Sequence, residues 1–112
     1  TLNYVSTGRI KEVNATYIAN ETENVSGYKL YDNYPNPFNP ETNIIFSLPK
    51  DGNILIKVYD ISGKEIAEVV NKFYKTGEYT IRFNANGLSS GVYFYRMSVN
   101  GYYETRRMVV LR

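Results

Sequence analysis

Between residues 28 and 49 the chain reads YKLYDNYPNPFNPETNIIFSLP, and this stretch holds all 4 of its prolines. Proline fixes φ, removes a backbone donor and drives the preceding residue out of the helical region. Tyr34, Asn36 and Asn39, each followed by a proline, are therefore extended or in turns. Asparagine side chains bond to the backbone two residues along, so Asn33, Asn36 and Asn39 are placed to satisfy amides that the prolines keep out of a ladder. The expected product is a rigid, non-helical elbow built from Asn33, Tyr34, Pro35, Asn36, Pro37, Phe38, Asn39 and Pro40, with Tyr34 and Phe38 turned inward.

Beyond the elbow the hydrophobic period is two. Ile44, Phe46 and Leu48 alternate with polar or lesser positions until Pro49 stops the run, and Ile54, Ile56 and Val58 resume it. Asp51-Gly52 between them is a strong turn pair, so the two strands are expected to form a hairpin. The sequence from Asp60 to Lys64 reads as a type I turn, with Asp60 accepting from turn amides and Gly63 at φ > 0. The chain then reverses into residues 65–73. Tyr79, Ile81 and Phe83 share a face of the next strand, and Leu88 anchors the polar connection after it. Residues 92–99 are apolar or aromatic on both faces, which marks a central strand. Asn100-Gly101 is a strong hairpin signal, leading into a last strand over 102–111. About seven short strands with turn signals at regular spacing, and no helical period, indicate an all-β, antiparallel, immunoglobulin-like β-sandwich.

Residues 28–112 form this domain. Residues 1–27 read as a linker or the tail of a preceding domain, with one plausible strand over 9–19 and a linker over 21–27. The N-x-S/T triplets at Asn14, Asn20 and Asn24 follow from polar composition rather than marking glycosylation. The chain opens at Thr1 without a methionine or a signal-like region, so it is read as the C-terminal part of a longer precursor.

Composition narrows the chemistry. There is no cysteine and no histidine, which removes thiolate ligands, cysteine nucleophiles, the commonest general base and the commonest transition-metal ligand. A net charge of +2 from 13 basic and 11 acidic residues gives no long-range attraction for nucleic acid. No apolar run approaches the roughly 20 residues of a membrane span, so the chain is not expected to be an integral membrane protein, and no cofactor is expected.

Four constellations invite a functional reading. Asp32, Asn36, Asn39 and Glu41 offer calcium-type oxygens, but the prolines restrict their convergence and turn capping accounts for them. The 12 tyrosines suggest sugar stacking, with Tyr93, Tyr95, Tyr102 and Tyr103 as the exposed candidates; cross-strand packing is the simpler reading. Carboxylate pairs such as Glu65 and Glu68, or Asp60 near Lys64, have no Gly-rich loop or nucleophile beside them, so no catalytic residue is assigned and the domain is not read as an enzyme. Arg106, Arg107 and Arg112 lie among Met108, Val109, Val110 and Leu111 on the last strand. Exposed arginines there discourage edge-to-edge aggregation.

The elbow also resembles the leader of the C-terminal sorting domain, type A, of proteins exported by the type IX (Por) secretion system of the Bacteroidetes and related bacteria. That leader has the form L-x-N-Y-P-N-P-F-N-P-x-T-x-I-x-F-x-L-P and precedes a small β-sandwich. Leu30, the run from Asn33 to Pro40, Thr42, Ile44, Phe46, Leu48 and Pro49 all match it. VYDISGKEI and LSSGVYFYRM look like the same family, which marks Asp60, Gly63 and Gly91 as turn positions of its pattern. One departure stands out: members commonly carry A-G-x-H-x-x-x-W where this chain has KTGEYTIRF, with Phe83 at the aromatic position and no histidine.

The resemblance implies a folded export signal that carries an N-terminal cargo from the periplasm across the outer membrane, to the cell surface or the medium. The implied partners are the outer-membrane machinery, its shuttle and a sortase-like peptidase, with cleavage in residues 21–28. It further implies that the last strand, Arg106, Arg107, Met108, Val109, Val110, Leu111 and Arg112, is an address, and strand addition at its edge is a physical way to read one. The rival readings are an immunoglobulin-like structural spacer and a carbohydrate-binding module on a secreted enzyme.

Overall fold

The computed structural model describes residues 27–112, so the expected strand at 9–19, the linker at 21–26 and the asparagine triplets lie outside the described residues. The described part is all-β. Its strands are β1 (Lys29–Leu30), β2 (Glu41–Leu48), β3 (Gly52–Tyr59), β4 (Glu65–Tyr74), β5 (Gly77–Asn84), β6 (Gly91–Val99) and β7 (Tyr102–Val110). They form two antiparallel sheets, β1-β2-β5 and β4-β3-β6-β7. This is the immunoglobulin-like outline with its fourth strand beside the third rather than the fifth.

The alternation read in the sequence sets the two inner faces. Ile44, Phe46 and Leu48 of β2 face Ile54, Ile56 and Val58 of β3, while Tyr93, Tyr95, Met97 and Val99 of β6 and Met108 and Val110 of β7 complete the core. Each of these residues is under a tenth exposed, so burial of apolar area is the main force holding the sheets face to face. Phe46, Tyr74 and Tyr79 add edge-on and tilted ring contacts at 4.6–5.5 Å.

The expected hairpin between residues 42–48 and 54–61 is not formed. β2 pairs with β1 and β5, and β3 pairs with β4 and β6, so the link at 49–51 crosses from one sheet to the other. Two strands with the same inward alternation can sit side by side or face to face, and only the second arrangement seals both apolar faces. Gly52 is accordingly not a left-handed turn residue. It is buried, and a Cβ there would lie 2.6–2.9 Å from Asn100 and the Val99 side chain, so this glycine serves close approach. Asp51 instead accepts the Thr76 N–H at 2.7 Å across the crossover.

The other turns follow the sequence. Gly63 takes φ +90° and donates to the Asp60 carbonyl at 2.9 Å, while Asp60 Oδ1 accepts from Ser62 N, Ser62 Oγ and Lys64 N. These bonds hold the Asp60 carboxyl below its ordinary range, with the Ser62 hydroxyl the largest cause. Asn100 and Gly101 at φ +49° and +81° make the two-residue turn of the β6–β7 hairpin.

Candidate functional site

The elbow and the last strand meet at one corner of the sandwich. Asn33 donates through Nδ2 to Thr42 Oγ1 at 2.9 Å and Pro35 O at 3.2 Å, and Thr42 Oγ1 donates to Pro35 O at 2.7 Å. Tyr34 and Asn43 exchange backbone bonds of 2.9 and 3.1 Å. This knot bends the chain so that Phe38, 3% exposed, enters the core against Phe83. Phe83 is itself 8% exposed, so the two rings bury each other. Tyr34, expected inward, is 74% exposed: its backbone is used by Asn43 and its ring is left outside.

Phe38 is also a latch on β7. Its N–H donates to Val109 O and its carbonyl accepts from Leu111 N, both at 3.0 Å, in a parallel bridge centred on Val110. Asn36 Oδ1 accepts the Val109 N–H at 2.9 Å. The amide therefore caps the far strand rather than its own turn. Asn39 Oδ1 likewise accepts from Arg112, Asp32 pairs with Arg106, and Glu41 takes Arg82 and Asn84. The four oxygens considered for calcium are spread over four separate pairings.

The three arginines of the last strand differ sharply. Arg106 faces the neighbouring sheet: Nε donates to Leu30 O at 2.6 Å, one terminal nitrogen reaches Asp32 at 3.0 Å and the other Glu104 at 2.9 Å. Glu104 in turn accepts the Leu30 N–H at 2.9 Å and the Tyr102 hydroxyl at 2.6 Å. The two side chains close the outer edge of β1, whose single outward N–H and C=O would otherwise lack partners. Partial burial works against the Arg106 charge, but Glu104 and Asp32 outweigh it and its pKa is raised. Tyr95 sits beneath, donating to Tyr31 O at 2.6 Å, and burial pushes its phenol above the ordinary range.

Arg112 is a second staple. Its backbone N–H donates to Ser90 Oγ, and its guanidinium reaches Leu88 O, Asn39 Oδ1 and Ala85 O at 2.6–3.0 Å. It ties the β5–β6 connection to the elbow. Arg107 is exposed on the outer sheet face, and no hydrogen bond or ion pair is found for it among the described residues. Met108 and Val110 are buried in the core. Of the seven residues read as an address, only Arg107 presents an unengaged charge; the structure puts Arg106 and Arg112 to work inside the fold.

A cleft of about 570 Å³ opens between the elbow and this strand, walled by Asp32, Tyr34 and Asn36 on one side and Thr105 and Arg107 on the other. The tyrosine row does not form: Tyr95 is fully buried, Tyr93 is 8% exposed and Tyr102 is half-buried, leaving Tyr103 alone at the surface under Arg96. Among the described residues no helix is long and apolar enough to cross a membrane.

The staples were not legible in the sequence. An arginine on a strand reads as solvated unless a backbone carbonyl from another sheet is known to lie within reach. Comparison with known proteins adds one finding: residues 32–111 match the model of a family described as the secretion system C-terminal sorting domain. No curated protein and no solved structure gives a match.

Proposed function

The chain belongs to the family of type IX secretion system C-terminal sorting domains, and from that premise we propose that residues 28–112 are the folded export signal of a longer protein. The family match, covering elbow and sandwich together, carries this reading. Membership implies interaction with the secretion machinery and a secreted or surface-exposed cargo. The finer steps are proposals: passage through the periplasm, hand-over by a shuttle at the outer membrane, and removal by a sortase-like peptidase within residues 21–28. The last strand is the address. What supports this is its place at the corner where the elbow and both sheets converge, so that only a folded domain presents it.

The test is secretion of a reporter with an N-terminal export signal and this chain at its C-terminus, in a host with a working type IX system and in one without. Surface or medium localisation that requires both the chain and the system is expected. Periplasmic retention in the competent host, or export from the deficient one, would overturn the reading. Deleting 106–112 outright is a poor comparison, because it removes Met108 and Val110 from the core along with any address.

A further inference from the structure

The backbone of β7 has two parities. Val99 pairs with Tyr102 across the two-residue turn, so even-numbered residues of β7 bond to β6 and odd-numbered ones point away from the sheet. The Phe38 latch agrees, since Val109 and Leu111 are the residues it takes. The outward N–H and C=O groups of Tyr103, Thr105 and Arg107 have no partner among the described residues. The edge is thus covered at its C-terminal end and bare for the five residues before it, where the cleft beside the elbow opens. The opposite edge of that sheet, β4, is interrupted by two register shifts, which spoil a template.

We propose, building on the sorting reading, that the partner of this domain donates an extended strand to the half-edge from Tyr103 to Arg107. The strand enters beside Tyr34 and is halted by Phe38, and it carries a carboxylate opposite Arg107. Bare backbone groups in an alternating row are satisfied by another extended backbone, which defines the partner as polypeptide. The side chains exposed along the row are Tyr103, Thr105 and Arg107, with Arg96 over the Tyr103 ring at 4.6 Å. Its two cations have no carboxylate within ion-pair distance among the described residues, so an acidic residue on the incoming strand gains a pairing that a basic one is denied.

The experiment compares reporters ending in the unaltered chain, Thr105→Pro, Thr105→Ala and Arg107→Glu for secretion in a type IX-competent host. Proline at 105 removes an N–H that bonds to nothing in the fold, and edge positions facing solvent tolerate it. Thr105→Pro should lower secretion by about ten-fold or more and Arg107→Glu by several-fold, with Thr105→Ala unchanged, since the lost ladder bonds and repelled carboxylate each weaken docking. Melting curves on the purified chains confirm folding; if the proline variant does not fold, Arg107→Glu decides, because Arg107 is exposed and has no ion pair among the described residues. Retention of the unaltered chain overturns the sorting reading and this one with it. Secretion of every folded variant at the unaltered level, or equal loss with alanine and proline at 105, overturns strand addition alone.

Discussion

Arg106 and Arg107 are neighbours of identical chemistry that should differ greatly in what they contribute to stability. In Arg106→Ala the 2.6 Å bond to Leu30 O is lost, and Leu30 is fully buried. A hydrogen bond from a charged donor contributes about 1.5–3 kcal/mol. Glu104, whose side chain is 18% exposed, keeps the Leu30 N–H and Tyr102 hydroxyl but loses its only cation among the described residues. Breaking a fully buried pair costs about 3–5 kcal/mol; with Arg106 at 32% exposure and two bonds still on Glu104, a fraction of that applies. The Asp32 pair adds little, because Asp32 is 80% exposed. The expected loss is about 2–3 kcal/mol, or roughly 10–20 °C in Tm for a domain of this size. Arg107→Ala should stay within about 0.5 kcal/mol of the parent. Arg106→Lys should fall between, since a single ammonium cannot hold a carbonyl and two carboxylates in one fork. Urea titrations followed by circular dichroism and tyrosine fluorescence, with no tryptophan to obscure it, give all three values. Equal losses for Arg106→Ala and Arg107→Ala would refute the assignment of Arg106 as an inter-sheet staple.

Phe38→Ala should cost about 3–5 kcal/mol as a buried aromatic truncation, whereas Tyr34→Ala, at a ring 74% exposed, should leave the urea midpoint nearly unchanged. Gly52→Ala places a Cβ within 2.6–2.9 Å of Asn100 and Val99, and should destabilise by about 1–3 kcal/mol; a Tm equal to the parent's would show that the crossover relaxes freely. Acid titration should reveal the Asp60 turn. Its folded pKa lies below the ordinary carboxyl value of 3.8, so its contribution is present above that value and disappears as pH falls through the folded pKa; Asp60→Asn should flatten that part of the stability profile, as read by urea midpoints between pH 2 and 6.

Reading the sequence located most strands because they have a wet side and a dry side: Ile44-Phe46-Leu48 and Ile54-Ile56-Val58 declare the dry side by their spacing alone, while 92–99, apolar on both faces, declares a central strand. Spacing cannot say which strand lies alongside, and Asp51-Gly52 then misled, because glycine answers two different needs. At Gly63 it supplies φ +90°, and at Gly52 it supplies absence of a side chain. The corner site was legible in its residues but not in their roles. Asn36, Arg106 and Arg112 reach backbone groups 73, 76 and up to 27 positions away, and a one-dimensional pattern gives no sign of such partners.

Among the described residues the last strand is used on every side except one. Met108 and Val110 point into the core, Glu104 and Arg106 close the edge of β1, the even-numbered backbone groups pair with β6, and the outward groups at 109 and 111 are taken by Phe38 and Asn36. What is left bare among the described residues is the outward half-edge from 103 to 107, bounded by the turn at one end and the elbow at the other. In an unfolded chain the same residues carry no such boundary: every backbone group along 102–112 is equally open, and any sticky strand could pair with it in any register. Docking of the elbow converts that indefinite edge into a short segment of fixed register. Under the strand addition proposed above, specificity in the export signal comes from occlusion as much as from Arg107, and the proline-asparagine leader and the final strand, at opposite ends of the domain's sequence, act as one recognition element.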